Sequence, residues 1–183
     1  MVKYLTLAFI LSVLFSGNVF GQKAVIKTNA LYWVSSTPNI GVEMKVGRNL
    51  SLDVSGNYNP FRFGHYRYIK HWLLQPELRY WPCKPFKGHF FGLHGHYVEY
   101  NVSWKKEGNR YSGNLYGGGV SYGYQWLLSP RWSVEAEIGV GYARLRYDKY
   151  VAGFKQGILL GSDIGKNYVG PTKAGVNFIY VLK

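Results

Sequence analysis

Residues 132–143 read WSVEAEIGVGYA, and this stretch decides the fold. Every second residue from Trp132 to Tyr142 is apolar or aromatic, whereas Glu135 and Glu137 fall on the opposite face. A period of two residues is that of a β-strand. An uncharged face with aromatic ends, opposite a face that carries charges, is typical of a strand in a transmembrane β-barrel.

The same alternation recurs along the chain and predicts eight strands, at 24–33, 39–46, 50–58, 72–81, 89–102, 115–127, 132–147 and 168–182. Short connections alternate with long ones at 59–71, 103–114 and 148–167, which is the pattern of outer-membrane barrels with extracellular long loops. We therefore expect an all-β protein: an eight-stranded antiparallel up-and-down transmembrane β-barrel. In the segment 89–102 no single phase puts all polar residues on one side, so we expect a β-bulge there.

The N-terminus has the features of a secretory signal peptide. Lys3 precedes an apolar run over residues 4–15, and Val19 and Gly21 suit a cleavage site. The run is shorter than the ~20 residues that a spanning helix needs. We expect a signal peptide at 1–21, a barrel domain at 22–183 and a location in the outer membrane of a Gram-negative cell. The one cysteine, Cys83, excludes an internal disulfide and lies in a predicted turn.

The strand alternation also predicts which charges point into the barrel. A closed interior needs acids and bases in nearly equal numbers, because an unpaired buried charge is unfavourable. We expect an ion-pair network that fills the lumen, although a small pore is an alternative. Its predicted members are Lys27, Glu43, Lys45, Asp53, Glu77, Arg79, Glu135, Glu137 and Lys173.

The formal net charge of +13 places the remaining basic residues at the rims of the barrel. An exported protein is an improbable partner for nucleic acid, so the expected acidic partners are lipopolysaccharide phosphates or an anionic surface glycan or protein. Aromatic and basic residues alternate in the predicted loops, which favours a binding surface on a monomeric barrel. Its predicted residues are Phe61, Arg62, Phe63, Tyr66, Arg67, Tyr68, Lys105, Lys106, Arg110, Lys149, Lys155 and Lys166.

Several segments carry a resemblance to a known family: KTNALY (27–32), TPNIGVE (37–43), LDVSGNYNP (52–60), KHWLLQPELRYW (70–81), GHFFG (88–92), GVSYGYQW (119–126), GVGYA (139–143) and YVGPTK (168–173). The chain resembles a family of small outer-membrane barrels from Bacteroidetes-type bacteria whose function is unknown. The resemblance covers the mature chain. It implies an outer-membrane location and an association with fimbrial or surface-structure loci, and it brings no catalytic residues.

We therefore expect a non-enzymatic, cofactor-free barrel that acts in cell-surface architecture, adhesion or fimbria-linked assembly. One alternative is a metal site, because His94 and His96 share a strand face, but the sequence supplies no further ligand at a fixed spacing. Another is a lipid-A-modifying acyl hydrolase or transferase. That enzyme would combine His71 or His96 with Ser103 or Ser112 and with Glu99.

Overall fold

The computed structural model describes residues 24–61, 68–103, 109–151 and 159–182. Eight antiparallel strands form one sheet, in which each strand pairs with the next and β1 pairs with β8 to close the ring. The strands are β1 (Ala24–Asn29), β2 (Asn39–Lys45), β3 (Leu50–Asn59), β4 (Tyr68–Tyr80), β5 (Gly88–Ser103), β6 (Asn109–Leu127), β7 (Trp132–Val151) and β8 (Leu159–Val181). The predicted all-β, up-and-down order is confirmed.

A short helix, α1 (Ala30–Val34), takes the place of the second half of the first predicted strand. The prediction of a strand was wrong for this part of the chain. Asn29 ends β1 because its side chain takes over hydrogen bonds at this point. Its Oδ1 accepts from the backbone N–H of Leu31 at 3.0 Å, and its Nδ2 donates to the carbonyl of Ala174 at 3.1 Å. None of the described helices is long and apolar enough to cross a membrane.

The strands that surround the long connections extend further than predicted. Strand β6 begins at Asn109 instead of residue 115, β7 continues to Val151, and β8 begins at Leu159 instead of residue 168. In these extensions most outward residues are polar, so the sequence lacks the alternation that marks a strand with one apolar face. The predicted signal peptide and much of the predicted loop sequence lie outside the described residues.

Strand β5 keeps one phase over its whole length, and the bulge expected there is absent from its pairing with β4 and β6. Its even-numbered residues point into the ring and its odd-numbered residues point out. Glu99 is therefore outward, at a level where the neighbouring outward residues are also polar. The irregular register lies instead between β7 and β8, near Gly139 and Tyr147.

The outer face of the ring carries a belt without a charged side chain. At one end of the belt lie Trp33, Tyr58, Trp72, Tyr116 and Tyr142, and at the other lie Tyr80, Trp126, Trp132 and Tyr180. Between them the outward residues of the described strands include no Asp, Glu, Lys or Arg; Ile40, Val54, Leu93, Val120 and Val140 are typical and exposed. Trp132 and Tyr142 stand ten residues apart on β7. At ~3.3 Å per residue and a tilt of ~40°, the belt is about 25 Å tall.

Candidate functional site: the filled lumen and an open cup

The centre of the lumen holds one arginine among four carboxylates. Arg79 is fully buried and donates from Nε to Glu77 at 2.6 Å. Its Nη1 lies 2.9 Å from Glu43 and 2.8 Å from Glu135, and its Nη2 lies 2.7 Å from Glu137. These acids come from β2, β4 and β7, so the guanidinium joins strands on opposite sides of the ring.

Two lysines complete this arrangement, which we call the ion cluster. Lys27 Nζ lies 3.0 Å from Glu43 and 3.0 Å from Asp53. Lys173 Nζ lies 2.6 Å from Glu77 and 3.2 Å from Glu137. Asp53 is close to Lys27 but lacks the alignment of a hydrogen bond, so its pairing is mainly electrostatic. The members of the ion cluster are Lys27, Glu43, Asp53, Glu77, Arg79, Glu135, Glu137 and Lys173.

The ion cluster therefore brings together eight of the nine residues that the sequence placed in the lumen. Lys45 stands apart: it is half-buried, and no ion pair joins it to the cluster among the described residues. Without Lys45 the cluster holds five acids and three bases. Neutral donors offset part of this excess, since Asn177 Nδ2 donates to Glu135 at 2.8 Å and the Ser121 hydroxyl donates to Glu77.

An aromatic plug closes the lumen on the side of the short turns. It consists of Val25, Trp81, Phe86, Phe90 and Ile179, all of them buried. Trp81 and Phe90 pack with ring centroids 4.9 Å apart, and the Arg79 guanidinium lies 4.2 Å above the Phe90 ring. Plug and ion cluster are thus in contact and together fill this half of the barrel.

The two inward histidines of β5, His94 and His96, lie in the next layer towards the long connections. His94 shares a hydrogen bond of 2.9 Å between its Nε2 and the Thr172 hydroxyl, and its ring centroid lies 5.8 Å from that of His96. Among the described residues no group of three His, Cys, Asp or Glu is placed to hold a metal ion. Above the histidines the inward residues become apolar, and register places four of them side by side: Leu73, Val98, Leu115 and Leu145.

A cavity of about 650 Å³ lies above these apolar residues. Its wall consists of short runs of consecutive residues from β3 to β7, on the inner side of a curved sheet, together with Asp163 of β8. The side chains that point inward at this level are Asn59, His71, Tyr100 and Tyr147. We call this space the cup. The ion cluster and the plug close it below, so the cup is a dead end that opens at the side of the long connections.

The cup is missing from the sequence-based prediction. Gly113 lies between Tyr100 and Tyr147 in the strand register, so no side chain separates the two rings. Tyr111 adds an edge-to-face contact with Tyr147 at 5.7 Å. Tyr100 and Tyr147 lie within the predicted strands 89–102 and 132–147, and Tyr147 shares the inward phase of Glu135 and Glu137. The phase of strand 89–102 could not be assigned from the sequence, so Tyr100 was not recognised as inward.

The residues proposed for a lipid-modifying enzyme do not converge. His71 and His96 point into the lumen, whereas Glu99 and Ser112 point outward on the other side of the wall. Glu99 already accepts hydrogen bonds from Trp72 Nε1 and from the Tyr97 hydroxyl, each at 2.9 Å. Ser103 is buried, and its backbone is paired with Tyr68 and Arg110.

The predicted loop surface is only partly a loop surface. Arg110, Lys149 and Lys166 lie on strands, which corrects their assignment to long loops: their backbones are paired within the extended sheet. Phe61 is exposed and follows β3, and Tyr68 begins β4. The other predicted members lie outside the described residues: Arg62, Phe63, Tyr66, Arg67, Lys105, Lys106 and Lys155.

A comparison with family profiles matches residues 5–182 to the proteins of unknown function grouped as DUF3575. The chain belongs to this DUF3575 family. Neither a curated protein nor a solved structure matches it. The match confirms the expected membership of a family of unknown function. For this DUF3575 protein, any role of the ion cluster or of the cup therefore follows from geometry alone.

Proposed function

We propose that this DUF3575 protein is a closed outer-membrane barrel that binds a partner at the cell surface. The observation that carries the proposal is the uncharged belt of about 25 Å between two aromatic rows, which has the height of the lipid-facing band of such barrels. A lysine or arginine at the middle of that band would be unfavourable by about 2–4 kcal/mol. A soluble protein has no comparable reason to exclude charge from so large an exposed surface.

The lengths of the strands support a role outside the membrane. A tilted strand needs ~9–11 residues to cross the hydrocarbon. Strands β6, β7 and β8 have 19, 20 and 23 residues and continue past the aromatic row of Tyr116 and Tyr142. A barrel that served only as an anchor would not need this projecting sheet. We infer that the sheet presents the binding surface, in surface architecture, adhesion or the assembly of a surface structure such as a fimbria.

Among the expected acidic partners, lipopolysaccharide agrees best with the positions of the basic residues on the outer face. Arg144 and Arg146 point outward on β7, directly above Tyr142, and Lys70 stands above Trp72 on β4. This level corresponds to the phosphate layer if the belt lies in the hydrocarbon. The filled lumen argues against the small-pore alternative, and no contact favours the lipid-modifying alternative.

Selective labelling of cysteine tests the location and the orientation. Cys83 is exposed in the short turn after β4, at the end of the barrel that we place in the periplasm. Its matched counterpart is a Cys83→Ser, Ser162→Cys variant, with the thiol on the projecting part of β8. A maleimide that cannot cross the outer membrane should label the second protein on intact cells and label Cys83 only after permeabilisation. Labelling of Cys83 on intact cells contradicts the orientation.

Proximity labelling tests the surface role. A labelling enzyme inserted between Val151 and Leu159 should recover a surface protein that the same enzyme inserted at Gly47 does not. Identical protein sets from both insertions would refute a partner at the projecting end. Recovery of a fimbrial subunit by the first insertion alone would identify assembly as the process.

A further inference from the structure

We propose that the cup binds a neutral sugar ring, such as the terminal residue of a surface glycan. This inference goes beyond the proposed function and does not depend on the membrane location, because the cup is formed by the barrel alone. It rests on the shape of the cavity, the absence of charge on its inward side chains and the chemistry of its tyrosines.

The shape limits what the cup does. Its volume of about 650 Å³ falls within the ~300–1,000 Å³ that is usual for small-molecule sites. It is closed below by the Leu73 layer, the ion cluster and the plug, so a ligand enters and leaves by the same opening. This geometry suits the capture of a chain end or a free small molecule, and it does not suit transport.

The inward side chains of the cup carry no formal charge at neutral pH. Tyr100, Tyr147 and Asn59 are neutral, and burial lowers the pKa of His71, which favours the neutral imidazole at pH 7. Strand register turns Lys70, Glu99, Arg146 and Asp148 to the outer face, whereas Asp163, at the irregular register of β8, also lines the cavity. An anionic ligand would therefore lose its hydration without gaining an opposite charge.

The chemistry of the cup matches a ligand with both apolar faces and hydroxyl groups. Among the described residues no side-chain hydrogen bond involves His71, Tyr100 or Tyr147, so their donors and acceptors are available to a ligand. Asn59 is already engaged, since its Nδ2 donates to the Thr37 hydroxyl at 2.9 Å and its Oδ1 accepts from the Phe61 N–H at 3.0 Å. Asn59 therefore stabilises the wall of the cup, and we expect the tyrosines and His71 to contact the ligand.

A sugar ring uses both properties of tyrosine at once. Its C–H faces pack on the aromatic ring, and its hydroxyls exchange hydrogen bonds with the phenol and with the imidazole. A wholly apolar ligand such as a fatty acid would leave the phenols unpaired, which disfavours it. No side chain stands between Tyr100 and Tyr147, because a Cβ at Gly113 would collide with the Tyr147 backbone, so both tyrosines can contact a sugar ring in the cup.

The test uses the full mature barrel, refolded in a detergent without a sugar headgroup, and saturation-transfer NMR. The probes are D-glucose, D-galactose, D-mannose and N-acetyl-D-glucosamine, with palmitate and inorganic phosphate as ligands of other classes. We expect saturation transfer to at least one sugar and none to palmitate or phosphate. Transfer to no sugar, or to palmitate or phosphate alone, overturns the proposal.

Variants then locate the binding. Tyr147→Ala should weaken binding of that sugar by about tenfold or more, because it removes a stacking surface and a hydrogen bond. Tyr147→Phe keeps the ring and the packing of the fold, and it should give a smaller but measurable loss. The matched control is Tyr150→Ala, which removes an outward tyrosine from the same strand and should leave affinity unchanged. Equal losses in Tyr147→Ala and Tyr150→Ala would show that the sugar binds outside the cup.

These results separate the two proposals. Sugar binding in detergent tests the cup alone, whereas cysteine labelling on cells tests the membrane location alone. If the cysteines are labelled as expected but the barrel binds no sugar, only the proposal for the cup is refuted.

Discussion

Replacing Arg79 by methionine should destabilise the barrel more than any other change to a single charge in the lumen. The substitution keeps an unbranched side chain of similar length, so it leaves little empty volume, and it removes the cation that contacts Glu43, Glu77, Glu135 and Glu137 at 2.6–2.9 Å. Breaking a buried ion pair by removing one partner costs about 3–5 kcal/mol, since the other partner is left as a buried charge.

Arg79 has these four close partners and a fifth, Asp53, at 3.6 Å, so the expected loss lies at the upper end of that range, about 5 kcal/mol. The lysines compensate only in part. Lys27 keeps Glu43 and Asp53, and Lys173 keeps Glu77 and Glu137. Glu135 loses its contact of 2.8 Å with Arg79 and retains only Lys27, at 3.8 Å from its Oε1. The cluster changes from five acids and three bases to five acids and two bases.

The assay is equilibrium unfolding in urea of the barrel reconstituted in lipid vesicles, followed by tryptophan fluorescence. Lys45→Met is the matched control, because it removes a half-buried lysine that no ion pair joins to the cluster, and its expected effect is below about 1 kcal/mol. Combining Arg79→Met with Glu135→Gln should recover part of the loss, as expected for coupled charges. Equal losses of unfolding free energy in Arg79→Met and Lys45→Met would show that the ion cluster does not stabilise the fold. The same conclusion follows if Glu135→Gln lowers the unfolding free energy of Arg79→Met as much as it lowers that of the wild type.

Three further predictions test other parts of the barrel. Val140→Lys places a charge on the outer belt and should lower stability in vesicles by about 2–4 kcal/mol, whereas Asn114→Lys, beyond the belt, should have little effect on the same urea midpoint. Gly92→Ala should destabilise the barrel by about 1–3 kcal/mol, because the new Cβ would collide with the Glu77 carboxylate. Gly95→Ala is the control: its Cβ meets only a backbone oxygen at 3.8 Å, so its melting temperature should stay close to that of the wild type. The filled lumen predicts no stepwise conductance in planar bilayers, and regular steps from the wild-type protein would refute a sealed barrel.

The period of two residues was enough to predict the barrel and the ion cluster. Within the outer belt one face is apolar and the other polar, so the phase of each strand can be read directly, as in β7 between Trp132 and Tyr142. The inward set then follows without knowledge of the pairing. Lys45 is the exception, because it ends β2, where an inward residue no longer meets the centre of the lumen.

The projecting sheet and the cup could not be predicted in this way. Beyond the belt most outward residues are polar and the two faces no longer differ clearly, so residues 109–114 and 159–167 look like loops although they form strands. The cup depends on register as well, since Tyr100 and Tyr147 become neighbours only through the pairing of β5 and β7 with β6. The short helix α1 was missed because ALYWV is as apolar as a strand, and the hydrogen bonds of the Asn29 side chain are not visible in the pattern.

The ion cluster also determines the charge of the surface. The chain has nine acidic residues and twenty-two lysines and arginines. The cluster buries five of the acids but only three of the bases, so four acids and nineteen bases lie elsewhere. Sealing the lumen therefore makes the exterior more basic than the net charge of +13 suggests. Because the outer belt excludes charge, the described charged residues outside the cluster lie towards the two ends of the barrel. An acidic layer at the membrane surface would hold such a barrel through attraction that weakens with added salt, whereas the uncharged cup would bind its ligand equally well at low and high salt.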